Sequence, residues 1–203
     1  MEAALTTATH SPVISRQLLH TRKVICTGYL RSDGMLDVGS EMNDISAKGT
    51  NMFFKQVQPG DLIHAMRVVV TVDRELVICH VQVHTDAAPT PHCADSNAGY
   101  EALVGLRIGG GFTKKVRALF GGTRGCTHLT ELLGPLATTA IQAHYALMRD
   151  TRNPRDAHRA AGPMPQPMIA GTCQAYRNDG PAMLKIWPLE RRAISPDAVT
   201  PPK

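Results

Sequence analysis

The stretch MRVVVTVDRELVICHVQVHT, residues 66–85, decides the fold class of this chain. Its first seven residues are rich in β-branched side chains, the triplet Asp73–Glu75 favours a turn, and the remainder alternates between apolar and polar residues. A period of two with polar residues on one face is typical of an antiparallel strand buried on one side. The alternation places Cys79 on the core face with the valines, and His80 and His84 on the solvated face.

Turn residues before this stretch and helical periods after it predict the remaining elements of the fold. An Asp-Gly pair at 33–34 lies between two short extended runs and predicts a second hairpin. Apolar residues recur every three or four positions over 112–120 and 129–147, which predicts a short helix and a long one that Gly134-Pro135 should kink or split. Strands first and helices afterwards indicate an α+β fold, an antiparallel sheet of hairpins followed by helices packed on one face.

The length of 203 residues suits one domain with added terminal segments. Changes in composition predict four segments: a mobile N-terminal arm over 1–20, an α+β core over 21–149, a linker over 150–187 and a loose tail over 188–203. Within the linker, residues 182–187 are a candidate for one extra strand.

Charge and composition exclude several classes of protein. The net charge is +5, but only 4% of the residues are aromatic and no dense basic run occurs, so we expect no nucleic-acid partner. No apolar run reaches the length of a membrane span, and residues 1–20 lack the pattern of a secretory signal. We therefore expect a cytoplasmic protein with no membrane partner, whose five cysteines remain free thiols.

The first candidate site residues lie around the Asp33-Gly34 turn. Asp37 falls among apolar residues of an extended run, so it needs a partner such as Arg31 or a bound cation. Asp44 is a candidate to join it.

His64 and Cys93 are the next candidates. His64 enters a strand from a turn, and imidazole is both the commonest side-chain metal ligand and the usual proton carrier near neutral pH, although a structural histidine is the alternative. Cys93 follows His92 in a loop made rigid by two prolines, which could present a thiolate.

The segment from Gly122 to Leu129 contains the strongest candidates. Its glycines place Cys126 at the beginning of the long helix, where unsatisfied N–H groups stabilise a thiolate. His128 follows two residues later. The alternative is that Thr127 caps the helix and Cys126 only packs. We expect the Cys126 thiol and the His64 imidazole to meet across a shared cavity.

These motifs together resemble a known family. The combination of Arg-x-Asp-Gly-x-x-Asp-Val (31–38), His-x-Met (64–66), Cys93 and Gly-Cys-Thr-His-Leu (125–129) resembles an uncharacterised bacterial domain family that is often found among genes for catabolism of aromatic compounds. The resemblance covers roughly residues 16–187. It departs from the family pattern at Gly39, where an acidic residue is usual, and it implies no particular reaction.

A weaker likeness concerns the fold, which is similar to that of iron–sulfur scaffold proteins of the NifU type. Superposing the hairpins puts His64 near a ligand Asp of that fold and Cys126 at its helix-capping ligand Cys, whereas neither Asp86 nor Cys93 fits the middle ligand. A single zinc or iron ion needs fewer ligands. His64, Cys93 or Asp86, and Cys126 or His128 are the candidate set for such an ion.

Two functions follow as expectations, with an accessory domain that has no turnover as the third. The first is a catabolic lyase of retro-aldol type that releases formaldehyde from an aromatic, lignin-derived compound, with His64 or His128 as base and Arg31 or a metal holding the negative charge. Cys126 and Asp37 complete the candidate catalytic residues. The second is a non-catalytic metal or iron–sulfur carrier. No organic cofactor is expected, since no nucleotide-binding loop occurs, and an uncovered sheet edge would invite a homodimer.

Overall fold

Four long strands form one antiparallel sheet in the order β1-β2-β5-β6. The computed structural model describes residues 14–151, 154–159 and 161–193. The sheet consists of β1 (His20–Leu30), β2 (Leu36–Ser46), β5 (Leu62–Val72) and β6 (Ile78–Ala87), and two short strands, β3 (Thr50–Asn51) and β4 (Gln56–Val57), pair as a separate ribbon.

Local turn chemistry explains the two long hairpins. Gly34 has a φ of 84° and its N–H donates to the Arg31 carbonyl at 3.1 Å, which closes the predicted turn between β1 and β2. The Asp73 carboxylate accepts from the backbone N–H groups of Glu75 at 2.9 Å and Val77 at 2.8 Å, which closes the turn between β5 and β6. Both hairpins predicted from the sequence are confirmed.

One face of this sheet, called the core face below, is covered by helices. A long 3₁₀ helix (Pro91–Leu103) follows the strands, and then come α1 (Phe112–Phe120), a 3₁₀ turn (Gly122–Arg124) and α2 (Thr127–Thr151). The buried side chains alternate along β2 and β5 and recur at helical spacing on α1 and α2: Leu36, Val38, Met42, Met66, Val68, Val70, Phe112, Val116, Phe120, Leu129, Leu132, Leu133, Leu136 and Ala140. The predicted α+β class is therefore confirmed.

A β-bulge overturns the prediction that Cys79 lies in the core. The register between β5 and β6 shifts, so Ile78 pairs with Val72 and His80 pairs with Thr71. The extra residue in this bulge is Cys79, which is exposed. Ile78 takes the buried position instead.

Helix α2 runs through Pro135 without the split that Gly134-Pro135 suggested. Leu133 and Leu136 flank the proline and are fully buried, so core packing on both sides holds the segment in one helix. Local helix propensity is overridden by tertiary contacts at this point.

The chain divides into two compact units, one ending at His144 and one beginning at Tyr145. The second unit contains α3 (Pro154–Arg159), a 3₁₀ turn (Gln174–Tyr176), α4 (Pro181–Ile186) and a last 3₁₀ turn (Leu189–Arg191). The extra strand predicted over 182–187 is wrong, because these residues form α4 and its end. Pro181 at the first helical position presets the backbone for a helix.

The region predicted as a linker contains an apolar cluster of its own. Met183 is fully buried and packs with Met164 and Trp187. The Trp187 indole N–H donates to the Met164 carbonyl at 2.9 Å, and the Arg192 guanidinium lies 4.3 Å above the Trp187 ring. Burial of these side chains gives residues after Tyr145 a small core.

The predicted terminal segments are described only in part. Residues 14–19 are exposed and have no regular secondary structure, but His20, the last residue of the predicted arm, already belongs to β1. Residues 1–13 and 194–203 lie outside the described residues. Within the part of the chain that the structure describes, no helix is both long and apolar enough to cross a bilayer.

Candidate active site

Three polar side chains meet where the sheet contacts the first turn of α2. Asp44 on β2 pairs in register with His64 on β5, and both side chains point to the core face. Asp44 is 1% exposed and His64 is 8% exposed. His128, in the first turn of α2, lies against His64 with 3.9 Å between the ring centroids. The core therefore contains a carboxylate and an imidazole in place of apolar side chains, and a second, partly exposed imidazole lies against them.

Asp44 accepts hydrogen bonds from three side chains. Arg22 binds it in bidentate fashion, with Nε at 2.7 Å from Oδ1 and Nη2 at 2.8 Å from Oδ2. Nε2 of His20 lies 3.1 Å from Oδ1, and Nδ1 of His64 lies 3.0 Å from Oδ2. The hydrogen bonds from Arg22 lower the pKa of Asp44 to about 2, against the opposing effect of burial. Asp44 is thus an anion at neutral pH.

The ionised Asp44 determines the tautomer of His64. A carboxylate only accepts hydrogen bonds, so Nδ1 of His64 must carry the proton and donate it to Asp44. This leaves Nε2 of His64 with a lone pair. Burial lowers the pKa of His64 below its usual 6.5, and the charge of the neighbouring His128 lowers it further, so the ring is neutral at pH 7. An oriented neutral imidazole with one unprotonated nitrogen has the chemistry that a general base requires.

Arg22 also connects the sheet to the helix. Its third nitrogen, Nη1, donates to Oε2 of Glu131 at 2.7 Å. Glu131 lies three residues after His128 on α2, so it occupies the same side of the helix. One guanidinium thus binds both the carboxylate that orients His64 and the helix that carries His128.

Tyr100 holds the beginning of α2 in place. Its hydroxyl group donates to the Cys126 carbonyl at 2.8 Å and lies 2.8 Å from Oγ1 of Thr130, while its ring stacks on Phe120 with centroids 4.3 Å apart. A Cβ on Gly125 would lie 2.8 Å from Cβ of Phe120 and 3.0 Å from the Tyr100 oxygen. Glycine at 125 therefore permits the close approach that sets the position of His128.

Comparison with known proteins assigns the chain to a family. Residues 20–142 match the protein family described as "Protein of unknown function (DUF2889)". The chain belongs to the DUF2889 family. The matched residues include every residue of the site described above, from His20 to Glu131. Neither the curated proteins nor the solved structures contain a match to the chain.

The family match confirms the expected resemblance to an uncharacterised domain family. The setting among aromatic-catabolism genes and the likeness to NifU-type scaffolds stay predictions, because no comparison tests them.

In the DUF2889 domain, two of the six residues predicted as catalytic or metal-binding come together, and the other four do not belong to the same group. His64 and His128 were both predicted as residues of one site, and their rings lie against each other. Among the described residues, the group of nearby metal-ligating side chains consists of Asp44, His64 and His128, without Cys126 or Cys93. Cys126 does precede the helix as expected, but its carbonyl, and not its thiol, accepts the hydrogen bond from Tyr100. The residue that the structure places against the His64 ring is His128, and the predicted meeting of the Cys126 thiol with His64 stays a prediction.

Arg31 and Asp37 lie at the other end of the sheet. Asp37 accepts from the Thr71 hydroxyl at 2.6 Å and pairs with Arg31 at 3.4 Å. Seven residues separate Asp37 from Asp44 on the same strand, which is about 23 Å at 3.3 Å per residue. Because seven is odd, the two carboxylates point to opposite faces. The structure therefore does not bring Arg31 or Asp37 to His64, although both were candidates for one site.

Sequence reasoning missed three residues of this site, namely His20, Arg22 and Glu131. A signal for Arg22 was present. In a hairpin whose turn is the Asp-Gly pair, Leu30 pairs with Leu36, so the numbers of paired residues add up to 66. That sum places Arg22 opposite Asp44. No comparable signal exists for Glu131, because its partner lies 109 residues away in the chain.

The group of Asp44, His64 and His128 could also hold a metal ion. One potential ligand atom from each of Asp44, His64 and His128 lies within 4.8 Å of the other two. Two imidazoles and a carboxylate form a donor set typical of iron or zinc. Each oxygen of Asp44 already has two hydrogen-bond partners, a nitrogen of Arg22 and one imidazole, so a metal ion bound by Asp44 would have to displace one of them.

A cavity of about 410 Å³ lies beside this group and not at it. Phe112, Val116 and Phe120 form part of its wall, and Glu131 lies at its border. Neither imidazole lines it. Of the two imidazoles, that of His128 is the more exposed to solvent.

Proposed function

We propose that this DUF2889 domain is a small-molecule enzyme that catalyses proton transfer, with His64 as the general base. The observation that carries the proposal is the hydrogen bond from Nδ1 of His64 to the buried anion Asp44, which leaves Nε2 unprotonated beside His128. A second imidazole with its ring centroid 3.9 Å away and a buried carboxylate that orients the first are features typical of functional sites.

The reaction class we propose is a lyase of retro-aldol type. The substrate is an aromatic, lignin-derived compound with a hydroxymethyl group. Nε2 of His64 accepts the hydroxyl proton, the C–O bond becomes a carbonyl as the C–C bond breaks, and formaldehyde leaves. The bonding electron pair stays on the remaining carbon, which then takes a proton from the imidazolium. The step is balanced without an oxidant, a reductant or a cofactor.

The charges around His64 support an aromatic substrate. Arg22 is the cation that contacts the group directly, and its guanidinium is occupied by Asp44 and Glu131. Arg31, the cation expected to hold the developing negative charge, is bound to Asp33 and Asp37 instead. The substrate must therefore delocalise the charge itself, and a carbon conjugated with an aromatic ring or a carbonyl group does so.

The test is formaldehyde release by the purified protein from a panel of phenolic compounds that carry a hydroxymethyl group. We expect H64Q to lower the rate about 100- to 10,000-fold. H80Q is the matched control, because His80 is an exposed histidine on β6, and it should leave the rate unchanged. The rate should also fall on acidification through the lowered pKa of His64. Formaldehyde release that survives in folded H64Q would exclude His64 as the base.

The alternative function is a metal carrier, and the three ligand atoms within 4.8 Å of one another are the observation that favours it. Metal analysis of protein purified without oxygen from cells supplied with zinc and iron separates the two functions. A carrier would contain about one metal ion per chain and lose it in both H64Q and H128Q. Protein that releases formaldehyde at full rate after metal removal supports the acid–base enzyme.

A further inference from the structure

The two edges of the main sheet differ in how they are covered. At the β6 edge, Ile78 exchanges hydrogen bonds with the chain beyond the 3₁₀ helix: its N–H donates to Leu106 at 2.9 Å and its carbonyl accepts from Gly105 at 2.8 Å. At the other edge, β1 is paired along all eleven residues with β2, and within the described part of the chain no strand pairs with its other side. One edge of the sheet is therefore open.

The open strand is apolar on both faces. Val24 and Leu30 point to the core face at the edge and are 44% and 59% exposed, and Ile25 and Tyr29 point to the outer face and are 50% and 64% exposed. β1 contains no proline, and its register with β2 shows no bulge. Proline and bulges are two devices by which soluble proteins block an edge, and charged side chains are a third. In β1 the exposed charged side chains are Arg22 and Lys23 near its beginning, so residues 24–30 form an uncharged edge that is open to pairing.

We propose that β1 pairs antiparallel with β1 of a second copy of this chain, around a two-fold axis at Thr27, which makes one continuous eight-stranded sheet. A two-fold axis perpendicular to the sheet keeps each face on its own side, so paired residues must have numbers with an even sum. The sum of 54 places Val24 opposite Leu30 and Ile25 opposite Tyr29. All four exposed apolar side chains then have an apolar partner.

Neighbouring registers lack this match. A sum of 52 places Val24 opposite Gly28, and a sum of 56 places Ile25 opposite Arg31. Cross-strand apolar pairs are the unit of sheet stabilisation, so the register centred on Thr27 is favoured.

Charge does not oppose this register. It places Lys23 of one copy opposite Arg31 of the other, and the carboxylates bound to Arg31 offset the repulsion between these two cations. The Arg31 guanidinium is bound to Asp33 at 2.8 Å and to Asp37 at 3.4 Å. This cluster has two carboxylates and one guanidinium, so Lys23 meets a net negative charge.

The first test is a disulfide across the axis in the full chain. In the proposed register two copies of residue 27 face each other with about 4.5–5.5 Å between their backbones, which a disulfide spans. We expect T27C in a C26S background to give a covalent dimer under mild oxidation. T21C in the same background, on the same strand and face but away from the axis, should stay monomeric under denaturing conditions, as should C26S alone.

The second test is the oligomeric state by analytical ultracentrifugation. We expect the natural chain to be a dimer and I25D to weaken the dimer at least tenfold, because the substitution places a carboxylate opposite Tyr29. F53D is the matched control, since Phe53 is 95% exposed and lies outside β1. A folded monomer at about 100 µM, a dimer that I25D does not weaken, or a cross-link through T21C instead of T27C would overturn the proposal. A monomer that captures a strand of another protein through β1 would overturn it too.

Discussion

Strand β2 carries two Asp–Arg pairs, one at each end, and they differ in almost every physical respect. Asp44 is 1% exposed and binds Arg22 in bidentate fashion at 2.7 and 2.8 Å. The Asp37 side chain is 34% exposed and meets Arg31 at 3.4 Å. An odd number of residues separates the two, so one points into the core and the other to the outer face. The Asp44–Arg22 pair is thus part of the candidate site, whereas the Asp37–Arg31 pair is a surface contact.

Solvent explains why this difference matters for function. Water screens the exposed pair at Asp37, so the pair has little influence on its neighbours. Around Asp44 the surroundings have a low dielectric constant, and the anion there binds the imidazoles of His20 and His64 directly. Through Arg22 it is also connected to Glu131 on the helix that carries His128. A buried charge can set the protonation of neighbouring groups, and an exposed one can do so only weakly.

The largest expected difference between the two pairs is in stability. D44N removes the buried anion that binds two nitrogens of Arg22 and accepts from His64, so we expect the free energy of unfolding to fall by about 2–4 kcal/mol. D37N should cost no more than about 1 kcal/mol. Urea unfolding followed by circular dichroism measures both, and equal losses would show that burial does not separate the pairs.

The buried and the exposed pair should also differ in how they affect stability at low pH. The pKa of Asp44 lies at about 2 in the folded chain and near 3.8 in the unfolded chain, so the unfolded state binds the proton first. This stabilisation, about 2 kcal/mol, is complete above pH 4 and is lost as the pH falls from about 4 to 2. Unfolding measured against pH should show this loss in the natural chain and in D37N. D44N should lack it.

The protonation of His64 gives a smaller and more local test. H128Q removes a neighbouring charge that lowers the pKa of His64, so that pKa should rise, while D44N removes an anion that raises it, so the pKa should fall. Titration of the imidazole resonances by NMR measures both directions. D37N should leave the titration of His64 unchanged, and a shift in that variant would mean that the two ends of β2 are coupled.

The smallest effect is expected at Arg31. R31A removes contacts to two exposed carboxylates and leaves the Thr71 hydroxyl on Asp37, so the urea midpoint should stay within experimental error of the natural chain. R22A is its matched partner at the buried end and should lower the midpoint clearly. A loss in R31A as large as that in R22A would contradict the contrast between the pairs.

Patterns that repeat over several residues predicted most of this fold. The alternation over 66–85 predicted the central hairpin, and the helical period over 129–147 predicted most of α2. Errors arose where one residue broke a pattern or where packing decided: the bulge displaced Cys79, and burial of Met183 favoured a helix over the strand expected at 182–187. Such events depend on neighbours far away in the chain.

By itself, the sequence determined the hairpins, the two main helices and the presence of His64 and His128 at element boundaries, because period, turn residues and capping act over a few residues. Tertiary structure alone decided which of these side chains meet. The contact of His128 with His64 depends on how α2 is rotated against the sheet, since that rotation decides which side chains of the first turn face β5. That rotation is set by the buried leucines of α2 and by Tyr100 and Arg22, which bind the helix from distant segments.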